Sequence, residues 1–237
     1  MSNIHCSHCN STLIDYNKED NCIEIMCNEC YKRDRYFYVG DNYSNNKSVF
    51  DEEINSIKDF TLRDFTNFAL TKLPEYFWHV ASSSSGQHHP VKSHGIGGLV
   101  RHTKAAIYIG QKLCDVYDMI DMKDRVTIAL IFHDAIKYDI PKEQHTVKNH
   151  PELSAKFLIA VWYEYNKSKP NAEPRIDDIV SAISNHMGRW TPRSVGNELV
   201  FPTHFTKLDQ IVHLADVISA CKQVDILSIP NIVNTKI

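Results

Sequence analysis

Long apolar runs are what this sequence most plainly lacks. The densest, Val126 to Phe132, falls far short of the roughly 20 residues that cross a bilayer, so no helical membrane span is expected. An excess of basic charge is missing too. Lys and Arg number 26 against 29 Asp and Glu, for a formal net charge of -3, and no global field exists to hold nucleic acid or an anionic membrane. Any such binding has to be local. The opening MSNIHCSHCN does not have the charged-then-apolar layout of a signal peptide, and we expect a cytoplasmic location. No internal repeat is found. What the 237 residues do have is 43% hydrophobic content, enough for one sizeable core and too much for a disordered chain.

Cysteine is concentrated at one end and histidine is abundant throughout, with 7 and 13 residues respectively. In a reducing compartment clustered thiols bind metal more often than they pair as disulfides. Cys6-x-x-Cys9 and Cys27-x-x-Cys30 have the paired-knuckle spacing of a four-cysteine zinc site. Two intervening residues let both thiolates reach one ion while amides of the turn bond to the sulfurs. Such a closed site leaves no position for substrate, so its zinc is structural and replaces the core that about 40 residues cannot supply. Cys22, His5 and His8 are alternative ligands nearby. Short alternating segments (Thr12 to Tyr16, Ile23 to Met26, Tyr36 to Val39) around the turn formers Asn17 to Asn21 complete the picture of a small β zinc ribbon over residues 1–40. Lys32, Arg33 and Arg35 beside Tyr31, Tyr36, Phe37 and Tyr38 suit contact with nucleic acid or with a protein. The bland alternative is that the aromatics pack the ribbon, and the acids Asp15, Glu19, Asp20, Glu24, Glu29 and Asp34 weigh against nucleic acid.

A polar linker is expected at 41–60, a helical domain at 61–227 and a loosely held tail at 228–237. Apolar residues at three- and four-residue spacing predict helices at 61–78, 97–118, 121–137, 151–167, 174–187 and 206–222, with no comparable strand pattern. The fold class is mainly α. Between the first two helices lies the Ser/Gly-rich stretch ASSSSGQHHPVKSHGIGG, expected to be a mobile loop.

Helix geometry exposes polar residues where core should be. His102 shares a face with Leu99, Ala105, Ala106 and Ile109; His150 with Leu153 and Phe157; His186 with Ile179 and Ile183. His133 and Asp134 interrupt VTIALIFHDAIKY, and Asp216 sits among Ile211, Val212, Leu214, Ala215, Val217 and Ile218. An ionised carboxylate in such surroundings costs several kcal/mol unless it is paired or coordinates a cation. One such histidine is ordinarily a satisfied core residue. Four with two aspartates suit divalent transition metals (Mn, Fe, Ni, Co or Zn), and six ligands are too many for one ion that also binds water and substrate. Two ions are implied.

The order His … His-Asp … Asp on a helical bundle resembles the HD-domain metal-dependent phosphohydrolase superfamily. It is carried by His102 in GGLVRHT, His133 and Asp134 in FHDAIKY, and Asp216 in HLADVIS. His150 in NHPELSA and His186 in ISNHMGR look like the extra pair of the binuclear subgroup. The HP dipeptide is similar to HD-GYP-type cyclic-dinucleotide phosphodiesterases, although the GYP signature is absent after His186. The GGL..HT segment is similar to HD domains of 3′–5′ exoribonucleases. The resemblance implies one metal on His102, His133 and Asp216, a second on His150 and His186, and Asp134 bridging the two with the hydroxide nucleophile between them. It further implies that Lys137, matching the family's HDxxK lysine, neutralises phosphoryl oxygens. Asp134 and Lys137 are thus the catalytic candidates, and Lys137, His94 and Arg189 the substrate-binding ones. Softer candidates for the site mouth are His88, His89, Lys92, Lys142, His145 and Arg193. His213 reads as support for a ligand, and Trp78, Trp162 and Trp190 as core, with Trp190 also able to stack a base. The expected activity is hydrolysis of a nucleotide or short single-stranded nucleic acid. An HD-type diiron oxygenase and a non-catalytic zinc-ribbon adaptor are the rivals.

Overall fold

The computed structural model describes residues 14–19, 22–27, 33–37, 47–83, 89–90, 93–170, 172, 174–191, 193–195, 198–200 and 205–222. Before residue 48, at Arg189 and over 193–200, only the backbone is described. The molecule is mainly helical, as the apolar periodicity predicts. At its N-terminal end, strands β1 (Ile14–Glu19), β2 (Cys22–Cys27) and β3 (Arg33–Phe37) form an antiparallel sheet in the order β1-β2-β3. Cys27 ends β2, whereas Cys6, Cys9 and Cys30 lie outside the described residues, as does the expected tail 228–237.

The helices are α1 (Asp51–Ser56), α2 (Phe60–Leu70), α3 (Gly98–Val116), α4 (Lys123–Phe132), α5 (His150–Ser168), α6 (Asp177–Asn185) and α7 (Lys207–Ser219). Every residue of α4 from Val126 to Phe132 is buried. A helix apolar on all sides has to be covered on all sides. α3, α6 and α7 pack on α4, and α5 runs against α6 and α2. Gly110 permits the close approach of α3 to α4, since a Cβ there would meet Val126 and Leu130 side chains at 2.7 Å. The central helix therefore delivers whatever follows Phe132 to the middle of the core.

Helix ends are fixed by specific caps. Asp59 Oδ1 accepts from the Leu62 N–H at 3.0 Å to start α2, and Asp124 Oδ2 accepts from the N–H groups of Lys58 and Asp59. Thr206 and Asp209 form a reciprocal capping box at the head of α7, and Asn185 Nδ2 donates to the same Asp209 carboxylate at 3.3 Å, tying α6 to α7. Lys72 reaches Glu164 at 3.0 Å between α2 and α5.

Five sequence expectations differ in detail. The second half of the expected linker 41–60 is folded: Phe50, Ile54 and Ile57 are buried in the main core and α1 occupies 51–56, because their spacing puts them on one face. The helix predicted over 61–78 stops at Leu70, where Pro74 removes an N–H and restricts its predecessor, and resumes as a 3-10 turn at Glu75–Trp78. The helix predicted over 121–137 ends at Phe132, since the His133 ring takes the Leu130 carbonyl that a continuing helix would use. A short antiparallel hairpin, β4 (Arg193–Val195) with β5 (Glu198–Val200), stands where no strand was expected. Trp78 and Trp162 are buried as core residues, but Trp190 is 55% exposed.

Candidate metal centre

Five elements bring six polar side chains to one buried point. His102 lies near the start of α3, His133 and Asp134 directly follow α4, His150 opens α5, His186 follows α6, and Asp216 sits on α7. Two groups of ligand atoms result, His102 with His133 and Asp216, and Asp134 with His150 and His186, each lying within 4.8 Å of one another. In the first group His102 Nε2 is 3.0 Å from Asp216 Oδ1 and 3.3 Å from His133 Nε2, and His133 Nε2 is 3.6 Å from Asp216 Oδ1. Donors bound about 2.1 Å from one ion stand roughly 3.0–3.4 Å apart in octahedral or tetrahedral geometry, which matches this spacing.

The opposite nitrogen of each ring shows which form it takes. Nδ1 of His133, His150 and His186 faces the backbone carbonyl three residues upstream, Leu130, Val147 and Ile183, at 2.7–2.8 Å. A carbonyl only accepts, so the proton is on Nδ1 and Nε2 presents a lone pair. His102 Nδ1 bonds the Ser219 hydroxyl at 3.1 Å, which in turn donates to the Asp216 carbonyl. All four Nε2 lone pairs thus converge with two carboxylates.

Asp134 divides itself between the groups. Its Oδ2 is 3.4 Å from His133 Nε2 and 3.9 Å from His102 Nε2, while its Oδ1 is 3.1 Å from His150 Nε2 and 3.7 Å from His186 Nε2. Oδ1 is buried and has no hydrogen-bond partner among the described residues, and the His150 and His186 nitrogens facing it present lone pairs when Nδ1 holds the ring proton. Lone pair opposing lone pair at these distances is an arrangement that divalent cations relieve, so the donor set fits a transition-metal centre.

The surroundings keep both carboxylates ionised. Burial works against ionising Asp134 and Asp216, but Lys137 and His133 outweigh it at Asp134, and His102 and His133 at Asp216, holding both well below the usual carboxylate range. Burial lowers His102 and pushes His186 down to about 3. At His133 burial also opposes charge, yet Asp134 and Asp216 together raise it. Lys137 is buried with its Nζ on Asp134 Oδ2.

The remaining expected residues fall in different places. His94 Nε2 donates to the His89 carbonyl at 3.2 Å, so its side chain supports the loop. The Arg189 side chain, His88 and Lys92 lie outside the described residues, and His145 and Lys142 are exposed. His213 Nδ1 donates to the His186 carbonyl at 2.7 Å, its ring lying against Gly188, where φ is +59° and a Cβ would approach the ring to 2.6 Å. His89 comes closer than the sequence ranked it. Its ring stands edge-on to His102 with centroids 4.8 Å apart, and burial, then His102 and Lys137, depress it to about 2. In a run of loop histidines no periodicity marks the one that turns inward.

The family model for the HD domain matches residues 99–221, which span all six ligand positions. No curated protein and no solved structure matches the chain. No helix among the described residues is long and apolar enough to cross a membrane.

Proposed function

Because the chain belongs to the HD-domain family, a family of metal-dependent phosphohydrolases, we propose that it is a cytoplasmic phosphodiesterase or nuclease acting on nucleotides or short single-stranded nucleic acid. Two divalent transition metals would be held in the helical domain, one by His102, His133 and Asp216, the other by His150 and His186, with Asp134 within reach of both groups. One structural zinc would be held by Cys6, Cys9, Cys27 and Cys30, and the ribbon so formed would contact nucleic acid or a protein partner.

The observation that carries this reading is the division of the Asp134 carboxylate, each oxygen facing a different group of imidazoles. Bound divalent ions supply an acidified water and neutralise phosphoryl charge. The chain's own part begins with orientation, because the Nδ1 bonds fix every imidazole before substrate arrives. Lys137, sharing Asp134 Oδ2, donates to a phosphoryl oxygen as negative charge develops there. Arg189, three residues after His186, provides a second cationic contact for the substrate's phosphate. In the reaction a water oxygen bonds to phosphorus, the bond to the leaving oxygen breaks, and that oxygen takes up a proton. A buried lysine at the shared carboxylate suits an anionic substrate, which favours hydrolysis over the diiron oxygenase reading.

Metal analysis of anaerobically purified protein, with a nucleotide and oligonucleotide hydrolysis panel, tests this. The Mn-loaded protein should hydrolyse phosphodiesters without oxygen. Asp134→Asn should lower turnover by about 1000-fold or more and Lys137→Ala by about 10- to 1000-fold. Iron-dependent oxygen uptake with no hydrolysis by the Mn form would overturn the reading.

A further inference from the structure

His89 belongs to neither ligand group, yet it is held against one of them. Its ring lies edge-on to His102, with an interplanar angle of 78°. Nδ1 is buried and has no hydrogen-bond partner among the described residues. The backbone that carries it is tied down on several sides. Ser82 donates to the Ser93 carbonyl from both N–H and Oγ, at 3.0 and 2.8 Å, closing the base of the loop. Tyr138, in the turn after Asp134, donates its hydroxyl to the Ala81 carbonyl at 3.2 Å. From α3, Arg101 donates to the His94 carbonyl at 2.9 Å, and His94 donates to the carbonyl of His89 itself. Residues on both sides of the metal centre thus set where His89 sits, while its own polar atom is left unused. An unpartnered ring nitrogen within electrostatic reach of Asp134, Asp216 and Lys137 is a group that a phosphoryl oxygen entering the site could use.

We propose that His89 is a substrate-contacting residue whose Nδ1–H donates a hydrogen bond to a non-bridging oxygen of the phosphoryl group, on the His102 side of the centre. No proton is transferred by it. The inference rests on the phosphoester hydrolysis proposed above and extends it to a loop residue outside the ligand set.

The test uses the full chain loaded with Mn2+. One readout is turnover of bis(4-nitrophenyl) phosphate, and the other is calorimetric binding of inorganic phosphate. Asparagine reaches about as far from the backbone as Nδ1 and glutamine about as far as Nε2, so His89→Asn keeps the donor and His89→Gln loses it. His89→Ala and His89→Gln should lower kcat by about 10- to 100-fold and weaken phosphate binding about 10-fold, with His89→Asn within about threefold of wild type. Metal content and melting temperature should not change in any of the three. Equal losses in His89→Asn and His89→Ala, no loss in His89→Ala, or loss of metal from His89→Ala would each overturn the proposal. If wild type binds phosphate through His89 yet cleaves no phosphoester, the contact stands and the hydrolase reading falls. A metal-loaded wild type that neither binds nor cleaves overturns both.

Discussion

Metal removal should destabilise the helical domain by an amount that its geometry sets. Without ions, Asp134 Oδ1 faces the His150 Nε2 lone pair at 3.1 Å, and His102 Nε2 faces that of His133 at 3.3 Å. These oppositions exist only in the folded chain, because the unfolded chain scatters the five contributing elements. Ions that bind the native state alone stabilise it by mass action, about 2.7 kcal/mol for each at 100 times its Kd, or about 5 kcal/mol for two. For a chain of this length each kcal/mol moves Tm by about 2–4 °C, so saturation should raise Tm by about 10–20 °C. Scanning calorimetry of chelator-treated protein titrated with Mn2+ measures this directly. Chelation would also strip the proposed thiolate-bound zinc, so the decisive comparison is wild type against His150→Ala, both handled identically. His150 contributes to one group only. Its removal should leave about half of the shift and lower the Mn2+ stoichiometry from two to one. A wild-type shift below about 2 °C, or an undiminished shift in His150→Ala, would refute a two-ion centre built from these groups.

Two further outcomes follow from the ligand supports. Ser219→Ala removes the partner of His102 Nδ1 and should weaken binding at the His102 group about 10- to 100-fold, read by Mn2+ titration with His150→Ala as background; unchanged affinity would show that Ser219 does not orient the ring. In metal-free protein His186 has its pKa pushed from 6.5 to about 3, by burial first and then by His133, so the unfolded chain takes a proton that the folded chain refuses. Stability is therefore lost as pH falls from 6.5 towards 3, and His186→Asn should flatten the slope of unfolding free energy against pH by up to about 1.4 kcal/mol per pH unit, measured by urea denaturation.

The helices and the six converging His and Asp positions were legible because both obey period. Apolar residues at three- and four-residue spacing mark buried faces, and a histidine or aspartate on such a face is visible as an exception. Phe50, Ile54 and Ile57 follow the same spacing, but the polar lead-in from Gly40 disguised them as linker. Loop residues have no period, which is why no spacing tells that the His89 ring turns to His102 while His94 bonds the His89 carbonyl. Trp190 illustrates the limit of composition: a tryptophan is expected inside, and the 3-10 turn after His186 leaves this one largely outside. The division of Asp134 between two groups depends on how one carboxylate is rotated, and no spacing encodes that.

Three of the ligating imidazoles are aimed by the carbonyl three residues before them. Their orientation is thus written into four consecutive residues each, and every such tetrapeptide is a self-contained part that carries its own alignment. Lengthening the connection over 139–146, for example, would leave the aim of both His133 and His150 intact so long as the helices still pack. His102 is different, for its Nδ1 is tied to Ser219 on another helix. Tolerance to insertion should accordingly be high in the loops that separate the self-aligned parts. It should be lowest where a change slides α3 along α7, since that sliding would turn the His102 ring away from its neighbours.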